Sequence, residues 1–333
     1  MTLEADTLRV TLNSERRYGA EYKDGLSSHL PMVRIALFYL GASEAQQETF
    51  ARWYRPRLEF VNARDERHCI TPNTWKEHLG EHRYNAEYRD FFTAQIEEHG
   101  SLATLESVVP QLMEGVGAGA FHPLIRLAYA LEIADEGEVA EALAAWCMAF
   151  LPLGSAPPLE TTSFTNTLAA SLQALTQTAD IQGATIFERM ERVSQQASFA
   201  HFGSLPTEAS IAEFREPILD IYEGSDGDFT ALHLVTSLHA LRVVNATTAL
   251  PHDALEQYWR AVGAAYLVIG KPEPSCASGA TTTTPAWDAI AAVAVASKDD
   301  HLIKFVYTCK QEQAAYGDDR YRRLAARRAK LDS

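Results

Sequence analysis

The sequence predicts an all-α protein, a single large helical domain with little or no sheet. Three observations carry the fold. Apolar residues recur at the i, i+3, i+4 spacing of a helix face through most of the chain. Prolines and glycines punctuate those runs where helices would start and stop. Alternating patterns are scarce, and no Asn-Gly or Asp-Gly turn joins two alternating runs.

Taken in order, Leu8 to Leu12 is the best strand candidate. Pro31 to Ala42 reads as a helix with proline at its start and Gly41 near its end. Arg64 to Thr71 is a charged loop, and Leu124 to Ile133 is a helix opened by Pro123. Leu151 to Thr162, rich in proline and small residues, is a loop before a helix over Thr165 to Leu175. Helical runs follow at Ile211 to Tyr222, Phe229 to Val244 and Ala254 to Ile269. Gly270 to Pro285 is a connection, and His301 to Tyr316 is helical again. Arg320 to Lys330 carries six cations and reads as a solvated last helix, at about 318–331, whose charges complement its dipole. No fixed-period repeat and no composition break divides the chain, so one domain over residues 1–333 is expected.

Composition excludes several classes. Lys and Arg number 29 against 44 Asp and Glu, a formal charge of −15. That balance argues against nucleic-acid and anionic-membrane partners, which reward cations. The longest uncharged apolar run, Ala142 to Leu153, falls short of the roughly 18 residues a membrane span needs. The N-terminal residues carry early acids and no apolar leader segment. Cys69, Cys147, Cys276 and Cys309 form no Cys-x-x-Cys pair, so neither a disulfide scaffold nor a cysteine-rich zinc site is expected. A cytoplasmic protein is the expectation.

Two motifs are weak on inspection. Gly115, Gly117 and Gly119 follow helical rather than strand sequence, and the third glycine comes one position too early for a dinucleotide fingerprint. A turn delivering His122 fits better. His78 and His82, with Glu81 between, match the inverted zinc-peptidase pattern. Gly80 and the polar surroundings favour a solvated segment instead.

Four other histidines, His29, His122, His233 and His301, sit beside or inside apolar helical runs. Each buried imidazole needs hydrogen-bond or metal partners. His29 and His122 each follow small residues and precede a helix-starting proline, so both would project from helix mouths. His301 and Lys304 share a helix face at i, i+3, and Ile303 and Phe305 give Lys304 an apolar setting that favours a neutral amine. A metal held by imidazoles from distant segments fits this pattern, although spacing alone leaves convergence open.

Those segments also carry a resemblance. GLSSHLPM, GAFHPLIRLAYALE, FTALHLVTSLHALRVV and DDHLIKF, together with the Trp75, Leu79 and Gly80 block, resemble the questin oxidase-like family from about Tyr18 to Tyr321. The family is similar to fungal enzymes that oxidatively open anthraquinone rings. The resemblance implies a non-haem iron held by His29, His122, His233 and His301 together with a carboxylated Lys304, a CO2-derived carbamate. His239 lies about 240° around the helix from His233, so both cannot face one centre. The block position selects His233 and leaves His239 a supporting or structural role.

The function so implied is O2-dependent oxidation, by C–C cleavage or oxygen insertion, of an aromatic or quinone substrate. Phe38, Tyr39, Phe121, Tyr129, Phe229 and Phe305 lie near these blocks, and for each of them core packing is favoured over lining the pocket. The alternatives are a Baeyer–Villiger-type monooxygenase using NADPH, and a non-catalytic small-molecule-binding protein. Substrate identity and oligomeric state stay open.

Overall fold

The computed structural model describes residues 3–23, 25–61, 69–155, 168–176, 181–200, 202–207, 209–273 and 284–331. Within them the chain is all-α: fifteen α-helices, several short 3-10 turns, and one two-stranded antiparallel ribbon, Glu21–Tyr22 with Leu26–Ser27. No helix among the described residues is long and apolar enough to cross a membrane.

Four helices form the frame, Leu30–Tyr39, His122–Ile133, Phe229–Thr248 and Asp300–Tyr316. Each of the first and last packs on the next, so the four close on one another. Their starts are encoded locally. Proline stands in the first turn of the first two. Asp228 and Asp299 cap the other two, each accepting two backbone N–H groups. Leu232, Leu234, Ala240, Ile303, Phe305 and Val306 are wholly or almost wholly buried, so the last two frame helices run through the core rather than along its surface.

Ion pairs set the frame in register. Arg34 is buried and reaches Glu15 through two nitrogens at 2.7 and 2.8 Å. Arg126 donates twice to buried Glu138, at 3.1 and 2.8 Å. Leaving any of these carboxylates buried without its partner would cost about 3–5 kcal/mol. At the far end His239 joins three of the four frame helices. Its Nδ1 lies 2.8 Å from Glu312 and its Nε2 3.2 Å from Glu132. Arg242 completes the group, donating to Glu312 at 2.8 Å.

Several sequence expectations change. Leu8 to Leu12 is not a strand but the middle of helix Leu3–Glu15, because Ala5, Leu8, Leu12 and Glu15 bury one helical face. Ile211 to Tyr222 splits into a 3-10 turn, Ile211–Phe214, and a helix, Arg215–Gly224, with Pro217 in its first turn where a missing N–H costs nothing. The helix expected at Thr165 to Leu175 is Leu168–Ala174, its first part lying outside the described residues. Most of the Arg64 to Thr71, Leu151 to Thr162 and Gly270 to Pro285 loops also lie outside them.

The last helix, Arg320–Arg328, is less solvated than expected. It buries Tyr321, Leu324, Ala325 and Ala326. Arg320 pairs with Asp220 and Glu223, and Arg327 with Asp226.

The His239 clamp predicts a pH signature. Burial works against the imidazolium, but Glu132 and Glu312 outweigh it and lift the pKa to about 9. The folded pKa exceeds the unfolded value of ~6.5, so the stabilisation is complete below ~6.5 and is lost as pH rises through 9. His239→Gln should therefore lower the melting temperature by ~5 °C or more near pH 6. Thermal melts of both proteins should converge toward pH 10.

Candidate metal centre

The four apolar-flanked histidines meet. All lie at helix beginnings: His29 is the N-cap of Leu30–Tyr39, His122 opens its helix, His233 is one turn into Phe229–Thr248, and His301 is second in Asp300–Tyr316. Ring centroids are 4.6 Å apart for His29 and His122, 4.6 Å for His29 and His301, 4.8 Å for His122 and His233, and 5.3 Å for His233 and His301. One nitrogen from each of His29, His122 and His301 lies within 4.8 Å of the other two.

Every Nδ1 is already committed. His29 Nδ1 lies 3.0 Å from one oxygen of Asp300, and His301 Nδ1 lies 2.8 Å from the other. His122 Nδ1 bonds the Gly119 carbonyl, and His233 Nδ1 the Phe229 carbonyl at 2.7 Å. Carbonyls and carboxylates only accept, so each Nδ1 carries the proton and each Nε2 presents a lone pair. Two of those lone pairs face each other, with His29 Nε2 2.6 Å from His122 Nε2. The Nε2 atoms of His233 and His301 are buried with no hydrogen-bond partner among the described residues.

Protonation does not relieve this crowding. Burial, then the Lys304 charge, hold His29 down to about 3. Burial likewise puts His122, His233 and His301 below the ordinary imidazole range. The positive ends of four helix dipoles act in the same direction. Lys304, one turn beyond His301, is buried, and desolvation lowers its amine to about 8 despite Asp300 and Asp299. Asp300 stays ionised: the bonds from His29 and His301 overcome the desolvation that opposes its charge.

The turn before His122 is bent to aim it. Gly119, Ala120 and Phe121 take successive left-handed conformations, with φ of 49, 55 and 67°. For the two non-glycine residues this costs on the order of 1–3 kcal/mol each. It also turns the Gly119 carbonyl onto the His122 ring. On the other side the His29 N–H donates to the Tyr54 hydroxyl at 3.0 Å.

The four histidines expected at the site, His29, His122, His233 and His301, are thus brought together, and the buried Lys304 lies near enough for its charge to act on all four. His239 is elsewhere, in its Glu132–Glu312 clamp. His78 and His82 are not a metal pair: Gly80 between them is left-handed at φ 81°, which breaks any shared helix face. His78 instead bonds Glu81, and His82 bonds Glu21. The glycines from Gly115 to Gly119 form 3-10 turns with no preceding strand.

Core packing holds for five of the six aromatics near these blocks. Of the six residues, Phe229 is the one with ring contacts to the cluster among the described residues. Tyr39 and Tyr129 pack on Tyr307, Phe121 on Tyr258, Phe305 on Tyr222 and Phe38 on Tyr39. A recess of about 880 Å³ lies between Leu8, Arg34, Phe38 and Gln47, and none of the five clustered residues lines it. Sequence reasoning missed Asp300, which bridges two imidazoles. The adjacent Asp299–Asp300–His301 acids were the available signal.

The chain matches the questin oxidase-like family over residues 26–223 and 218–309, ranges that contain all five clustered residues. The match spans most of the chain, and the protein belongs to that family. Membership makes it an oxidoreductase of oxidase type and points to an anthraquinone-like aromatic substrate with O2. A comparison with curated proteins gives no match.

The hydrogen-bond pattern predicts four Nδ1–H tautomers. Asp300→Asn can accept through only one side-chain atom, so His29 or His301 should lose its Nδ1 acceptor. In ¹⁵N-histidine NMR of metal-free protein, the four Nδ1–H tautomers of these clustered histidines should become three. An unchanged spectrum would mean that Asp300 does not orient the rings.

Proposed function

We propose that the protein is a non-haem iron oxygenase that oxidises a planar oxygenated aromatic or quinone substrate. One observation carries the reading. Four neutral imidazoles, each locked by its Nδ1 bond, direct Nε2 lone pairs into one buried space, two of them only 2.6 Å apart. A cation resolves that repulsion, and an all-imidazole set suits iron among the transition metals. Bound there, iron would supply the binding and activation of O2.

The residues of the chain do the rest. Asp300 fixes two rings with one carboxylate, and the Gly119 and Phe229 carbonyls fix the others. Such supporting bonds set ring orientation and raise ligand basicity. Lys304 is the proposed fifth ligand. With its amine lowered to about 8, a neutral fraction is present near pH 7. That amine can add CO2: the nitrogen–carbon bond forms, the nitrogen loses a proton, and a carbamate anion results. The four helix N-termini favour such an anion over an ammonium. Burial of His29, His233 and Lys304 excludes water from this volume.

Purified protein should hold about one iron per chain, and His122→Ala or His233→Ala should lose it. Lys304→Ala should lower both iron affinity and turnover, whereas Lys310→Ala changes neither. Asp300→Asn should weaken iron by roughly 10- to 100-fold. His78→Ala with His82→Ala should leave metal content unchanged. Elemental analysis of these variants decides the matter, and full retention in both His122→Ala and His233→Ala rejects the centre.

Ligands drawn from residues 29 to 304 would tie most of the chain through one ion. A metal that binds only the native state stabilises it by mass action, by about 2.7 kcal/mol at a hundredfold excess over Kd. Complete chelation should therefore lower the melting temperature by several degrees in calorimetry. An unchanged transition would show that the ion does not link these segments.

A further inference from the structure

We propose that Phe229 is the residue on which the aromatic substrate rests as it reaches the site; this inference depends on the oxygenase reading above. The cluster is buried almost everywhere, but Phe229 is 49 % exposed. A lone exposed phenylalanine is ordinary on a protein surface. This one is not isolated. Its ring stands edge-on to His301 at 4.5 Å between centroids and to His233 at 4.8 Å. Those are the two imidazoles whose buried Nε2 atoms have no partner. Phe229 is therefore an apolar surface in contact with solvent on one side and with two proposed ligands on the other.

The backbone beneath it is fixed. Asp228 accepts from the Thr230 and Ala231 N–H groups at 2.7 and 3.1 Å, and the Phe229 carbonyl holds His233 Nδ1 at 2.7 Å. A planar aromatic that replaced solvent on the outer face of Phe229 would gain an aromatic contact in the usual offset or edge-to-face geometry. Four helix N-termini behind it favour a substrate edge bearing a carbonyl or ionised hydroxyl. A crevice of about 20 Å³ reaches His122 between Ser27, Ser28, Met32 and Pro123, room for a water and not for a ring.

The test is equilibrium binding of 1,8-dihydroxyanthraquinone to iron-loaded protein, followed by its visible absorbance. Phe229→Ala and Phe229→Leu should each weaken binding by roughly 3- to 10-fold. Phe229→Trp should retain it. Iron content should stay at the original value in all three, because the Phe229 backbone and not its side chain supplies the His233 bond. Undiminished affinity in Phe229→Ala, with iron present, overturns this assignment and leaves the oxygenase reading standing. An unsubstituted protein that takes up no iron and binds no quinone overturns both.

Discussion

Asp300 is the point on which the site depends. One carboxylate accepts the Nδ1–H hydrogen bonds of His29 and His301, residues from opposite ends of the chain. Both Nε2 lone pairs are thereby directed, and the helix Leu30–Tyr39 is tied to Asp300–Tyr316 at their first turns. The other two rings obey the same rule with backbone carbonyls. The result is a donor set in which no imidazole is free to rotate or to offer its other nitrogen.

Helix direction explains why these donors stay neutral. Four helices bring their N-terminal ends together, and burial adds to the penalty on any imidazolium. The same field that suppresses protonation favours anions, which suits a carbamate on Lys304 and an oxygenated substrate edge. His239 shows the contrast within one helix. Six residues further along, between Glu132 and Glu312, burial is equally complete, yet the imidazole carries its proton. The first turn and the middle of this helix thus hold histidines in opposite charge states, one set for donor chemistry and one for structural pairing.

The strain is concentrated at the same place. Gly119, Ala120 and Phe121 accept left-handed backbone to turn a carbonyl onto His122. The neighbouring Arg126–Glu138 and Arg34–Glu15 pairs hold the two helices that begin at His122 and His29. Strain beside buried ion pairs is what a preorganised site requires, since the turn persists only if the surrounding packing over-determines it.

Much of this was legible in the residues themselves. Helical spacing and proline starts place Leu30–Tyr39 and His122–Ile133 correctly, because both depend on local backbone preference. The histidines in apolar settings mark themselves, since a buried imidazole demands partners. The strand candidate at Leu8 to Leu12 fails because short apolar runs fit either period, and burial against neighbouring helices decides between them. Convergence of His29, His122, His233 and His301, the bridging role of Asp300, the clamp around His239 and the exposure of Phe229 belong to the tertiary structure alone. Each depends on distances between segments far apart in the chain, and a linear pattern encodes the donors without encoding which of them meet.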